Sequence, residues 1–141
     1  LRQVVENVAL PDTSYRTDVD FPENALNKDF LFDNNKMGLL KLRFAKKKSG
    51  YFINLSFVDS SSERHQIGMN NEYLISKERL FGLPTAVKGR WEQNKFKIEY
   101  NRLCRIENYK FSILFKEDNL MELTVTEASK GINQSITGRC L

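Results

Sequence analysis

The stretch Tyr109-Lys110-Phe111-Ser112-Ile113-Leu114-Phe115, then Lys116-Glu117-Asp118-Asn119, then Met121-Glu122-Leu123-Thr124-Val125, decides the fold class. Apolar side chains fall on every second residue in both arms: Tyr109, Phe111, Ile113 and Phe115 in one, Met121, Leu123 and Val125 in the other. Successive side chains of an extended chain point to opposite faces, so each arm reads as a strand with one buried face. The polar tetrapeptide between them is turn chemistry. Together they predict an antiparallel hairpin.

The same rhythm continues in both directions. Downstream, Lys130-Gly131 turns the chain into a last strand carrying Ile132, Gln134, Ile136 and Gly138. Upstream, Phe96, Ile98 and Tyr100 alternate with Lys95, Lys97 and Glu99, and Glu92-Gln93-Asn94 is a turn. Ala86 to Trp91 reads as a strand in which Gly89 marks a bend or a close approach. Leu40, Leu42 and Phe44 form one strand face. Across the turn Lys47-Lys48-Ser49-Gly50, Tyr51, Ile53, Leu55 and Phe57 form the next. Between these blocks, Asp59 to Arg64 reads as a polar loop. Ile67 and Met69 form a short strand near His65, Tyr73 to Ile75 forms another, and Leu83-Pro84 breaks the chain.

About eight to ten strands at this spacing, with no long helical pattern between them, predict an all-β antiparallel domain. An up-and-down, lipocalin-like barrel is favoured, because closing a long meander removes its exposed edges. A two-sheet β-sandwich is the alternative. Residues 23–141 form this domain. Residues 1–22 read as a linker or N-terminal arm, with a short helix at Leu1 to Val8 ended by Pro11. A chain beginning at Leu1 with no apolar leader reads as an excised or processed piece.

Of 141 residues, 40% are hydrophobic, enough to fill an interior, and no apolar run is long enough for a membrane span. Twenty-two basic residues face 18 acidic ones, leaving a net charge of +4. Lys46-Lys47-Lys48 is the one tight basic run and reads as a solvated hairpin tip. Nucleic-acid binding would need a broader basic stripe with interleaved aromatics.

The two cysteines, Cys104 and Cys140, have no metal-ligand spacing and share the chain with a single histidine, His65, so no metal site is expected. They could pair if the chain end lies beside the strand carrying Cys104. Two partly buried thiols are the expected state. No catalytic constellation is visible. His65 reads as an exposed or edge-strand histidine, the carboxylates are scattered among turns, and there is no Gly-x-Ser-x-Gly elbow or phosphate-cradling glycine loop. No cofactor is expected. The aromatic residues fall mostly on apolar strand phases and read as core. A partly filled barrel would leave a pocket for a small hydrophobic ligand, lined by Trp91, Tyr100, Tyr109 and Phe111.

Ala86-Val87-Lys88-Gly89-Arg90-Trp91, a polar turn, and Phe96-Lys97-Ile98-Glu99-Tyr100 together resemble the β-rich domain that follows the catalytic domain in β-lactamase-related serine hydrolases. Ile106-Glu107-Asn108-Tyr109 with Phe111 and Phe115 to Asp118 resembles that domain's next hairpin. Asn27 to Phe30, Asn35 and Met37-Gly38-Leu39 resemble its opening hairpin, and Leu10-Pro11 resembles its linker. The resemblance spans residues 10 to 141 and implies a non-catalytic accessory domain. Its partner would be an upstream hydrolase domain of the same polypeptide, extracytoplasmic if that parent is penicillin-binding-protein-like. The hydrolase's own Ser-x-x-Lys, Tyr-x-Asn and Lys-Thr-Gly elements have no match here, so no catalytic residue carries over. Ile136-Thr137-Gly138 lacks the basic residue, and the Tyr51 to Asn54 and Tyr100-Asn101 spacings are wrong.

Overall fold

A computed structural model of the chain describes residues 15–16, 21–22, 25–75, 85–102 and 108–140. The expected helix at Leu1 to Val8, the Leu83-Pro84 break and Cys104, hence its pairing with Cys140, lie outside the described residues.

The strands are β1 (Tyr15–Arg16), β2 (Asp29–Phe32), β3 (Leu39–Lys47), β4 (Gly50–Phe57), β5 (Ser62–Ile67), β6 (Leu74–Ile75), β7 (Thr85–Glu92), β8 (Lys95–Arg102), β9 (Asn108–Lys116), β10 (Leu120–Glu127) and β11 (Ile132–Cys140). They make one continuous sheet in the order β1-β7-β8-β9-β10-β11-β2-β3-β4-β5, with β6 also on β7. Every ladder is antiparallel. The protein is therefore an antiparallel up-and-down barrel, and its sheet curls on itself instead of stacking two layers.

Turn residues explain why the hairpins close where they do. In the β9–β10 turn Asp118 and Asn119 adopt φ of 61° and 59°, and in the β7–β8 turn Gln93 adopts 57°. Asp and Asn tolerate this left-handed region better than most residues. At the end of the Ala128–Lys130 3₁₀ turn, Gly131 takes φ 65° and caps it.

Among the described residues the ring contains nine strands, β2–β5 and β7–β11. An odd ring cannot alternate direction throughout, so one junction must be parallel. That junction is β5/β7, joined through the parallel bridge Gly68↔Lys88. The Gly68 amide donates to Val87 O (3.0 Å), the Gly89 amide to Gly68 O (2.7 Å), and the Asn71 amide to Gly89 O (2.9 Å). Short segments cover the rest of the β7 edge: β6 pairs with Ala86 and Val87, and β1 pairs with Trp91 and Glu92. The edge that would invite another chain is thus occupied piece by piece. On the outside, Arg90 ties the seam through Glu92 (2.7 Å), Glu99 (3.3 Å) and Asn71 (3.3 Å).

Alternation places Leu42, Phe44, Tyr51, Ile53, Leu55, Phe96, Ile98, Phe111, Ile113, Met121, Leu123 and Val125 in the core. Three expectations change. Leu40 is 44% exposed, because a register irregularity between Leu39 and Lys41 shifts the phase of β3 and turns Leu39 inward instead. Ser62 to Arg64 belong to β5, not to a loop, with Glu63, His65 and Ile67 on the buried phase. His65 is 3% exposed, so it is an interior histidine and not a surface one. Phe21, just before the barrel, packs its ring 4.6–5.5 Å from Phe44, Tyr51, Trp91 and Phe96.

Gly89 is a close approach. A Cβ there would sit 2.6 Å from the Phe96 ring and 2.8 Å from Ile67 Cγ2. Among the described residues no helix is long and apolar enough to cross a membrane.

A cavity at one end of the barrel

The two ends of the barrel differ in filling. At the end carrying the β7–β8 and β9–β10 turns, Phe21, Phe44, Trp91, Phe96 and Phe115 interlock, with ring centroids 4.6–6.4 Å apart. Such offset and edge-on aromatic packing leaves little void. At the opposite end a cavity of about 260 Å³ remains. Leu55 and Phe57 of β4, Tyr100 of β8 and Phe111 and Tyr109 of β9 form its walls. Met37, Gly38, Val58, Asp59 and Ser61 form its rim, and Glu63 and Arg102 its polar side.

Three of the four residues expected at a pocket, Tyr100, Tyr109 and Phe111, line this cavity. Trp91 does not. It points inward as its strand phase requires, but at the packed end, 5.1 Å from Phe96 and 5.5 Å from Phe21.

No local sequence pattern marks the charged residues of this end as a group. Glu63 Oε1 lies 2.8 Å from His65 Nε2, and Glu63 Oε2 accepts from Arg102 Nη2 at 2.7 Å. β5 and β8 are not hydrogen-bonded neighbours, so this pair crosses the barrel interior. Burial alone would raise the Glu63 pKa. The His65 hydrogen bond and the Arg102 guanidinium outweigh it and hold the carboxyl below its ordinary value. At the rim, the Ser61 hydroxyl and amide both donate to Asp59 Oδ1 (2.5 and 2.9 Å), and these bonds hold its pKa below the ordinary value.

Buried polar atoms with no hydrogen-bond partner include His65 Nδ1, Thr85 Oγ1, the Tyr100 hydroxyl and Asn108 Oδ1. They sit on four successive strands, β5, β7, β8 and β9, all toward the hollow end. Native interiors rarely leave such atoms unsatisfied, and each costs about 1–3 kcal/mol. Tyr100 is 4% exposed, its ring edge-on to His65 at 5.5 Å and tilted against Phe111 at 5.0 Å. Burial first, and the Glu63 charge second, push its pKa well above the ordinary tyrosine value, so the hydroxyl keeps its proton.

Tyr100→Phe is therefore expected to leave stability unchanged or raise it by about 0.5–1 kcal/mol, since it removes an unpaired buried hydroxyl. Urea unfolding of the two proteins measures this. A loss of 1 kcal/mol or more would mean that the hydroxyl is paired in solution.

Among the described residues no group of three or more His, Cys, Asp or Glu is arranged to hold a metal ion. The sequence matches no protein-family model and no curated protein.

Proposed function

We propose that this domain is a binding module that takes a small amphipathic molecule into the open end of its barrel, in the manner of a lipocalin-like carrier. The observation that carries this reading is the uneven filling: one half packed with aromatic rings, the other holding about 260 Å³ beside an unpartnered tyrosine hydroxyl. Pockets that bind small molecules are typically about 300–1,000 Å³, apolar, with a few convergent polar groups. This cavity lies just below that range, so it suits a ligand of about ten non-hydrogen atoms. Leu55, Phe57 and Phe111 would hold the apolar body, and Tyr100 the polar end. The test is calorimetric titration with 3-phenylpropan-1-ol, a neutral probe of that size. One-site saturation with Kd below about 1 mM is expected. Leu55→Phe, which fills the cavity, should weaken binding at least tenfold while the fold persists by circular dichroism. Failure of this probe and of its amine and carboxylate analogues to saturate would overturn the reading.

A second reading is the accessory domain of a β-lactamase-related hydrolase. It is supported by exposed Leu31 and Leu40, near neighbours on the outer face of β2 and β3, where a partner domain of the same polypeptide could pack. Sequencing the parent gene tests it: a coding region lacking an upstream Ser-x-x-Lys domain overturns it.

A further inference from the structure

We infer that the cavity selects a small organic cation, a protonated amine carried on an apolar body. This rests on the binding-module reading above and names its ligand class.

The walls offer four aromatic side chains, Phe57, Tyr100, Tyr109 and Phe111. The face of an aromatic ring is the negative part of its quadrupole, so a site walled by rings attracts cations, most strongly where water is excluded. Two carboxylates add to this, Asp59 at the rim and Glu63 on the inner wall. Both are held in the ionised form by hydrogen bonds, and Glu63 also by Arg102.

Arg102 lies in the wall and directs Nη2 onto Glu63 at 2.7 Å, which offsets the Glu63 charge and leaves Asp59 as the carboxylate a ligand would meet. Lys130 is bound to the Tyr109 hydroxyl at 3.0 Å and does not line the cavity. With two acidic groups and one basic group, the lining carries a formal charge of −1 inside a chain whose net charge is +4.

The inner end supplies the specific contact. The Tyr100 hydroxyl has no partner and is shielded from solvent. Glu63 and Arg102 act on that hydroxyl in opposite senses. An ammonium N–H donated to the Tyr100 oxygen would satisfy that oxygen. A carboxylate placed there would face Glu63 and be repelled.

The experiment uses the full chain and three probes of matched size at pH 7: 3-phenylpropan-1-amine, 3-phenylpropan-1-ol and 3-phenylpropanoate. Calorimetric titration should show the amine binding at least fivefold tighter than the alcohol, with the carboxylate weakest. The amine's advantage should shrink as salt is raised, because charge at the rim is screened. Asp59→Asn should weaken amine binding about threefold, and Tyr100→Phe about fivefold. If the carboxylate or the alcohol binds as tightly as the amine, the cation preference is overturned while the binding module stands. If none of the three saturates, both are overturned.

Discussion

Replacing Gly68 with alanine is expected to destabilise the protein by about 3 kcal/mol or more, among the larger effects a single methyl group can have. An added Cβ would overlap the carbonyl oxygen of Glu72, lie 2.7 Å from its carbon and 3.0 Å from the Leu74 amide nitrogen. All three are backbone atoms, so no side chain can rotate away to make room. The clash falls on the residue that bridges β5 to β7 through two backbone hydrogen bonds. Opening that junction would free the β7 edge and split the ring at its parallel seam. Gly131→Ala is the informative comparison. No atom lies within 4 Å of its added Cβ, and only the positive φ of 65° opposes it, at about 1 kcal/mol. Urea midpoints of the two variants separate packing from backbone strain. Equal losses would show that the seam tolerates opening.

Glu63→Gln is expected to cost about 2–3 kcal/mol. Removing one partner of a buried ion pair leaves the other charge uncompensated, at about 3–5 kcal/mol when fully buried, and Arg102 keeps part of its hydration here. The same variant should change how stability depends on pH. The folded carboxyl titrates below its ordinary value of 4.5, so the unfolded chain binds that proton first as acid is added. The contribution of Glu63 is therefore full above the ordinary carboxylate range and is lost as pH falls through it toward the lower folded pKa. Between about pH 6 and about pH 3 the wild-type protein should lose more stability than Glu63→Gln. Parallel curves, measured by urea unfolding across that range, would mean that the carboxylate is not coupled to folding.

The parts of the fold legible in the sequence are those carried by local contrast. Phe96, Ile98 and Tyr100 between lysines and Glu99 announce one strand and its inward face, and Tyr109 to Val125 announces a hairpin. β5 was not legible because Ser62-Glu63-Arg64-His65-Gln66 alternates polar with polar. Its period of two exists, but only tertiary pairing shows that Glu63 and His65 are the buried phase. The signal that could have found it is the spacing Glu63, His65, Ile67, which extends an apolar phase backward into two ionisable residues. Leu40 faces outward, against its alternation, because a bulge adds one residue to the count, and alternation has no means of showing where the count slips.

The candidate site divides in the same way. Strand phase directs Trp91, Tyr100, Tyr109 and Phe111 toward the interior, and all four are turned inward. Phase says nothing about height along the barrel. That height follows from the stagger of neighbouring strands, which pairs Trp91 with Phe96 at one end and Tyr100 with Tyr109 at the other. The sequence by itself determined an all-β meander and the inward face of most strands, because side-chain alternation is a property of two or three residues. Only the tertiary structure decided that nine strands close through a parallel seam at Gly68, that one end is packed and the other hollow, and that Glu63 meets Arg102 across 39 residues of chain. These depend on how distant strands are staggered against one another, and no local pattern encodes that stagger.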